Sequence, residues 1–181
     1  KSRNGYKYVL TCIDLFTKFA IATPIKDKLT TTVATVMTDK IFSTYGLPLE
    51  ILSDRGPEFL SKLFLDLCKL MDITKLNTTA YQPRTNGCVE RLHRTINSVL
   101  SKCIRHDQRD WDEWLPYCMT AINSSESEST GFSPFYLMFG REFKGALEMQ
   151  EWRCDANTQV KSLPDWIKHK MSRIDEAFKL V

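Results

Sequence analysis

Three acidic side chains, Asp14, Asp54 and Glu90, are the residues of this chain best suited to metal-assisted chemistry. Asp14 closes the β-prone run 8–13, Asp54 closes the run 49–53, and Glu90 lies at the start of a helical pattern. Hard cations such as Mg²⁺ take oxygen ligands, and a two-metal phosphoryl-transfer site needs carboxylates that converge from separate elements. Two strand ends and a helix entrance therefore predict such a site.

Each acid also has a purely structural interpretation. Asp14 could end a strand in a turn, Asp54 could form an Asx turn before Arg55 and Gly56, and Glu90 could be a first-turn acid favoured by the helix dipole. For each acid considered alone, the structural interpretation is at least as well supported as metal binding. The three acids together with their flanking motifs favour metal binding.

The pattern of apolar and turn residues predicts the elements that carry these acids. A hairpin over 7–25 would place Asp14 at the end of its first strand, and a short strand over 50–53 would lead into Asp54. The other predicted elements are a helix over 30–45, a helix from Pro57 to Met71, a strand over 75–78, a helix spanning Trp111 to Ile122, and a short helix from Ser133 to Gly140.

A polar loop over 79–87 is predicted to precede the helix that bears Glu90. On that helix Glu90, Arg94 and Asn97 share one face, because residues three and four apart are neighbours on a helix surface. We expect His93 to pack partly buried rather than to act as a general base. The opposite, core-facing positions are Val89, Leu92, Ile96, Val99, Leu100 and Cys103.

Composition indicates one folded domain of ordinary size, because 43% of the residues are hydrophobic and 11% are aromatic. The longest apolar run has five residues, 135–139, so no membrane-spanning helix is predicted. Six scattered cysteines without a Cys-x-x-Cys pair indicate free thiols in a reducing compartment. The net charge is +3, but the segment 84–109 alone carries +4. Such a cluster suits a phosphate backbone or, equally, an ordinary solvated helix face.

The ordered motifs around the three acids resemble those of retroviral-type integrase catalytic cores, nearest to those of gypsy-type long-terminal-repeat retrotransposons. Any one motif is weak, but the ordered set, over roughly residues 6–141, is specific. The matching segments are VLTCIDLFTKF at 9–19, YGLP at 45–48, SDRGPEF at 53–59, YQPRTNGCVER at 81–91, STGFSPF at 129–135 and FGR at 139–141.

The resemblance implies an α/β fold of the RNase H-like type, within the polynucleotidyl transferase superfamily. Its mixed five-stranded sheet has three antiparallel and two parallel strands and is flanked by helices. Residues 1–141 would form the catalytic core, and 142–181 a C-terminal extension with a helix leading toward a DNA-binding module outside this chain. The family's His/His/Cys/Cys zinc module has no match here, and we expect it upstream.

The implied activity is DNA integration: 3′-end processing by water, then strand transfer of element DNA into target DNA. Asp14, Asp54 and Glu90 would be the catalytic residues and would hold Mg²⁺ or Mn²⁺, as two ions. The implied partners are element ends, target DNA and further copies of the chain, at least a dimer, with no membrane. The protein would act on chromosomal DNA in the nucleus, after cytoplasmic synthesis as part of a longer polyprotein.

The resemblance also suggests five residues that would contact DNA. Asn86 lies in the family's flexible catalytic loop, and Arg94 stands where the family often has a basic DNA-contacting residue. Asn97 replaces the Lys common in retroviral relatives, and Tyr81 could instead be a half-buried anchor. The five candidates are Tyr81, Arg84, Asn86, Arg94 and Asn97.

Two other functions remain open from the sequence. One is a host-domesticated integrase core that serves as a DNA-binding or protein-interaction module, which the intact triad argues against. The other is a related DDE transposase or nuclease, which the Ser-Asp-Arg-Gly and Tyr-Gln-Pro-x-Thr-Asn-Gly signatures disfavour.

Overall fold

The computed structural model describes residues 1–78, 83–104 and 108–144, with backbone only for 83–86. The chain divides into two compact units. The first comprises Lys1–Cys12 and Ile21–Cys118. The second comprises Ile13–Ala20 and, within the described residues, the chain from Met119 onward.

The predicted N-terminal hairpin is confirmed. Strand β1 spans Tyr8–Ile13 and strand β2 spans Ala20–Ile25, and the two form a two-stranded sheet. At the turn the Asp14 N–H donates to the Phe19 carbonyl at 2.9 Å. The hairpin thus delivers Asp14 immediately after β1, as the sequence predicts.

A continuous helical run follows over the predicted range, but its middle is not an α-helix. It consists of α1 at Thr30–Val36, a π-helical segment at Met37–Phe42 and α2 at Ser43–Tyr45. Gly46 ends the run with φ +88°, a left-handed backbone that favours glycine. The buried residues of this run are Val33, Met37, Ile41 and Phe42.

Strands β3 at Glu50–Ser53 and β4 at Thr74–Asn77 form a parallel pair, with Glu50 opposite Thr74 and Ser53 opposite Asn77. The Glu50–Ser53 strand is confirmed, and the second strand begins one residue earlier than predicted. Parallel strands require a crossover between them. Two helices, α3 at Pro57–Leu60 and α4 at Lys62–Leu70, supply it.

The single helix predicted from Pro57 to Met71 is wrong, because it is broken at Ser61. Ser61 has an extended backbone (φ −64°, ψ 147°), and its side chain accepts the Phe64 N–H at 3.3 Å. A serine hydroxyl in this position caps one of the unpaired N–H groups of a helix start. The apolar face survives the break, with Phe64 and Cys68 buried.

Helix α5 spans Pro83–Cys103, so the predicted loop is wrong over 83–87, whereas 79–82 lie outside the described residues. Proline is well suited to the first position of a helix, since its missing N–H would be unpaired there anyway. The cost of Gly87 in a helix, about 1 kcal/mol, is small enough to be tolerated. Glu90 therefore lies about two turns inside α5, not at its entrance.

Helix α6 spans Trp111–Ser124 and helix α7 spans Pro134–Phe139, as the pattern predicts. Ser133 caps α7 by accepting the Tyr136 N–H at 3.0 Å, and Gly140 ends it with φ +68°. The predicted C-terminal extension is described only to residue 144, so its helix remains a prediction.

The first unit has a core built from both sheets and the intervening helices, and its buried members are Leu10, Ile25, Val33, Met37, Ile41, Phe42, Phe64, Cys68 and Ile73. In the second unit, Asn123 clamps the main chain of Ala20: its Oδ1 accepts the Ala20 N–H at 2.9 Å and its Nδ2 donates to the Ala20 carbonyl at 2.8 Å. The hairpin turn is thereby fixed to α6 within that unit.

The described residues hold four strands, in two pairs. None of the described helices is long and apolar enough to cross a membrane. The five described cysteines are free thiols, namely Cys12, Cys68, Cys88, Cys103 and Cys118, and Cys154 lies outside the described residues.

Candidate active site

Asp14 is exposed in the turn after β1, and its carboxylate is held by that turn. Its Oδ2 accepts two hydrogen bonds from Thr17, from the backbone N–H at 2.7 Å and from the hydroxyl at 2.5 Å. The Thr17 hydroxyl in turn accepts the Phe19 N–H at 3.2 Å. Thr17 is buried, so the donors to one carboxylate oxygen are fixed, while Oδ1 has no partner within the described residues.

Asp54 is exposed directly after β3, and here the main chain is held more firmly than the carboxylate. Asp54 Oδ1 accepts one hydrogen bond, from the Gly56 N–H at 3.1 Å. The Asp54 carbonyl accepts a second, from the Ser53 hydroxyl at 2.7 Å. Among the described residues, Asp54 Oδ2 is uncommitted.

A second carboxylate, that of Glu58, approaches Asp54 over Gly56. A Cβ placed on Gly56 would lie 3.0 Å from Glu58 Oε2 and 3.1 Å from Asp54 Oδ1. Only glycine leaves both carboxylates undisturbed, since a contact of 3.0 Å is tighter than carbon normally accepts. Glu58 is half-buried at this site.

Lys75, on β4, reaches the same corner. Its ammonium donates to the Ser53 hydroxyl at 2.7 Å, the Leu76 carbonyl at 2.7 Å and Asn77 Oδ1 at 3.0 Å. Burial lowers the pKa of Lys75, and the charges of Cys68 and Asp54 act in the opposite direction. Sequence patterns alone do not identify Lys75 as part of this corner. The available signal is the spacing: Lys75 comes two residues after the apolar Ile73, and residues two apart lie on the same side of an extended chain.

Glu90 is exposed on α5, and its carboxylate has no hydrogen-bond partner within the described residues. Arg94 and Asn97, which share its helix face, are exposed as predicted. The core-facing side of α5 is buried at Leu92, Ile96 and Leu100.

Three of the predicted DNA contacts cannot be placed as side chains. Tyr81 lies outside the described residues, and Arg84 and Asn86 are described only by their backbone in the first turns of α5. Their contacts with DNA remain predictions.

His93 is exposed, so its predicted partial burial is wrong. Its Nε2 lies 2.8 Å from the Thr11 hydroxyl, a hydrogen bond that joins α5 to β1. The helix carrying Glu90 and the strand leading toward Asp14 are thus directly linked. A polar contact replaces the expected apolar packing because Thr11 presents a hydroxyl to this face of the helix.

Asp54 and Glu90 belong to the first compact unit and Asp14 to the second. Across residues 1–78, 83–104 and 108–144, no three His, Cys, Asp or Glu side chains are grouped as metal ligands. Convergence of the three acids therefore remains a prediction. The donor chemistry nonetheless fits Mg²⁺ or Mn²⁺, because each acid is exposed and keeps at least one uncommitted carboxylate oxygen.

Comparisons with a family model, with protein sequences and with solved structures agree on the class of protein. Residues 1–83 match the family model of the integrase core domain. The chain is 32% identical, over 178 residues and 98% of its length, to the retrovirus-related Pol polyprotein from transposon 412 of Drosophila melanogaster, of which it spans 14%.

Its fold is similar to that of the catalytic core domain of BIV integrase, with a TM-score of 0.61 at 23% identity over 80% of this chain and 88% of that one. It is similar to the HTLV-2 integrase catalytic core domain in complex with magnesium, in a trimeric form, with a TM-score of 0.61 at 22% identity over 76% and 89%. The α/β fold is thus the RNase H-like fold of integrase catalytic cores. Residues 1–83 thus carry the integrase core domain, and the chain is homologous to the Pol polyprotein of transposon 412 and to retroviral integrase cores.

Proposed function

We propose that this chain is the catalytic core of a gypsy-type integrase that processes the 3′ ends of element DNA and transfers them into target DNA. The observation that carries the proposal is the placement of the three acids. Asp14 and Asp54 follow strands β1 and β3, Glu90 projects from α5, and all three expose carboxylate oxygen to solvent.

Asp14, Asp54 and Glu90 would together hold Mg²⁺ or Mn²⁺, as two ions. When bound, the ions supply charge neutralisation at the attacking and leaving oxygens of an in-line displacement. The protein's own contribution is orientation. Thr17 fixes the Asp14 carboxylate and the Gly56 N–H directs Asp54 Oδ1, so little reorganisation is needed when substrate arrives.

The surface of α5 beyond Glu90 would receive the DNA backbone. Arg94 and Asn97 lie on the exposed face, and the segment 84–109 carries a net charge of +4. Phosphate contacts of this kind are independent of sequence and weaken as salt rises. Assembly of several copies on DNA and action in the nucleus belong to the same proposal.

The test is a reaction on a branched DNA substrate, the reverse of strand transfer, with Mn²⁺ present. We expect activity in the wild-type chain and a loss of about 10³-fold or more in Glu90→Gln, because an amide cannot supply the anionic oxygen that a metal site needs. Glu113→Gln, which changes an exposed acid at the start of α6, is the matched control and should retain activity.

Undiminished reaction in Glu90→Gln would remove this residue from the mechanism and contradict the proposal. A wild-type chain that binds the branched DNA but never cleaves or joins it would instead indicate a domesticated DNA-binding core.

A further inference from the structure

We propose that Lys75 is a positioning residue for Asp54, acting through Ser53 on the end of β3. The inference rests on the proposed function, because it assigns a role to Lys75 only if Asp54 is a metal ligand. Lys75 lies on the neighbouring strand, and its ammonium donates no hydrogen bond to Asp54 itself.

The Lys75 ammonium is fully engaged. A lysine ammonium has three N–H donors, and here they match three acceptors: Ser53 Oγ, the Leu76 carbonyl and Asn77 Oδ1. The side chain is half-buried rather than extended into solvent. Ordering so flexible a side chain costs conformational entropy, which several hydrogen bonds must offset.

These contacts form a relay that ends at Asp54. Ser53 Oγ accepts from the Lys75 ammonium and donates to the Asp54 carbonyl, each at 2.7 Å. The carbonyl of Ser53 is also held, by the Thr78 N–H at 2.9 Å. The residue before the acid is therefore fixed at both its hydroxyl and its carbonyl, and the backbone of Asp54 has little freedom to rotate.

The parallel register explains why a lysine is suited to this position. Lys75 lies opposite Ile51, two residues before Ser53. Its long side chain spans that offset along the strand pair and reaches the carboxyl end, where Ser53 faces Asn77. A shorter polar residue at position 75 would not reach the Ser53 hydroxyl.

A nearby cation could also act only through its charge, and the two roles predict opposite signs. As a simple neighbouring charge, Lys75 would repel a metal ion, so its removal would tighten metal binding. As a positioning residue, its removal would weaken metal binding, because the Asp54 backbone would lose its anchor. Residues that orient a metal ligand typically contribute about 10- to 100-fold in metal affinity.

The experiment measures Mn²⁺ binding by calorimetry and the branched-DNA reaction for Lys75→Met, Ser53→Ala and the double variant. Lys75→Met keeps the length of the side chain and removes the donors. We expect Mn²⁺ affinity to fall about tenfold in each single variant. The double variant should lose little more, because two residues in one relay are not additive. Lys69→Met, at an exposed lysine of α4, is the control for loss of charge and should bind as wild type does.

Mn²⁺ affinity that is unchanged or higher in Lys75→Met would overturn the proposal, as would fully additive losses in the double variant. If Lys75→Met does not fold, as judged by thermal unfolding, Ser53→Ala alone decides, since it removes one small hydroxyl from the same relay. A wild-type chain that binds Mn²⁺ and reacts, with both single variants behaving as the wild type does, would overturn only the role of Lys75. A wild-type chain that neither binds Mn²⁺ nor reacts would overturn this role together with the proposed function.

Discussion

The turn after β1 and the end of β3 each present an exposed aspartate, but they hold it by different means. At the turn, Thr17 binds the Asp14 carboxylate itself, through two donors to one oxygen. At the end of β3, Ser53 binds the Asp54 main chain, and Lys75 on the next strand supports Ser53. In both cases a side-chain hydroxyl donates a hydrogen bond to the aspartate.

The two arrangements differ in how far apart their residues lie along the chain. The Asp14 arrangement uses residues within five positions, so it is formed by the turn alone. The Asp54 arrangement needs β4, more than twenty residues away. We therefore expect Asp14 to respond mainly to changes in its own turn, and Asp54 to respond to changes across the strand pair.

The largest expected effect is common to both regions. Asp14→Asn and Asp54→Asn should each lower the branched-DNA reaction by about 10³-fold or more, because each removes an anionic metal ligand. Their stabilities should differ. Asp14→Asn weakens two charge-assisted hydrogen bonds and should cost about 1 kcal/mol, whereas Asp54→Asn affects one bond of 3.1 Å. Equal shifts in thermal unfolding would contradict the contrast.

Thr17→Val should have the next largest effect. It should lower the rate of the branched-DNA reaction about tenfold and the free energy of unfolding by about 1–3 kcal/mol. The change removes the hydroxyl that donates to Asp14 Oδ2 and accepts the Phe19 N–H. Thr31→Val, at an exposed position of α1, is the control and should be close to neutral. Unfolding midpoints in urea and single-turnover rates measure the two effects, and a fully active Thr17→Val would show that the turn holds Asp14 without the hydroxyl.

Gly56→Ala should act on the site and barely on stability. The backbone of Gly56, with φ −56° and ψ 139°, is open to alanine, so only the new Cβ matters. It would press on the carboxylates of Asp54 and Glu58, and we expect Mn²⁺ affinity to fall about threefold, roughly 0.6 kcal/mol. Gly87→Ala, where the nearest atom is Arg91 Nη1 at 3.4 Å, is the comparison and should not weaken Mn²⁺ binding. Equal affinities in the two variants would show that the approach over Gly56 has no part in the site.

The smallest effect concerns Cys12, on the strand that leads toward Asp14. Burial raises the pKa of this thiol to about 11, and its Sγ lies 3.8 Å from Met37 Sδ. At pH 8 about one thiol in 10³ would be the reactive thiolate, so alkylation should be slow and should speed up as pH rises toward 11. Mass spectrometry after timed alkylation would measure this. Labelling of Cys12 as fast as that of Cys88, which lies on α5, would contradict it.

Local signals in the sequence predicted much of the framework. The apolar run ending at Asp14, the Glu50–Ser53 strand and the Ser133 cap were all identified, because each depends on residues close in the chain. The Ser61 break and the π-helical segment were missed, since a serine within an apolar pattern and an extra residue per turn leave helical periodicity almost unchanged.

The contacts around the candidate site were less predictable. The Asp-x-x-Thr spacing of Asp14 and Thr17 is a usable local signal for a turn that holds a carboxylate. The contact of Lys75 with Ser53 and that of His93 with Thr11 depend on register between distant segments, which periodicity does not specify. The resemblance to integrase cores identified the acids but was silent on these supports.

The parallel pairing of β3 with β4 also sets an order in time as the chain is made. The hairpin of β1 and β2 can close in about 1–10 μs once both strands are available. Glu50 must wait for Thr74, twenty-four residues further on. At about 5–20 residues per second of synthesis, that wait is on the order of one to five seconds. A nascent chain would thus complete the turn of Asp14 well before the corner of Asp54 acquires its lysine.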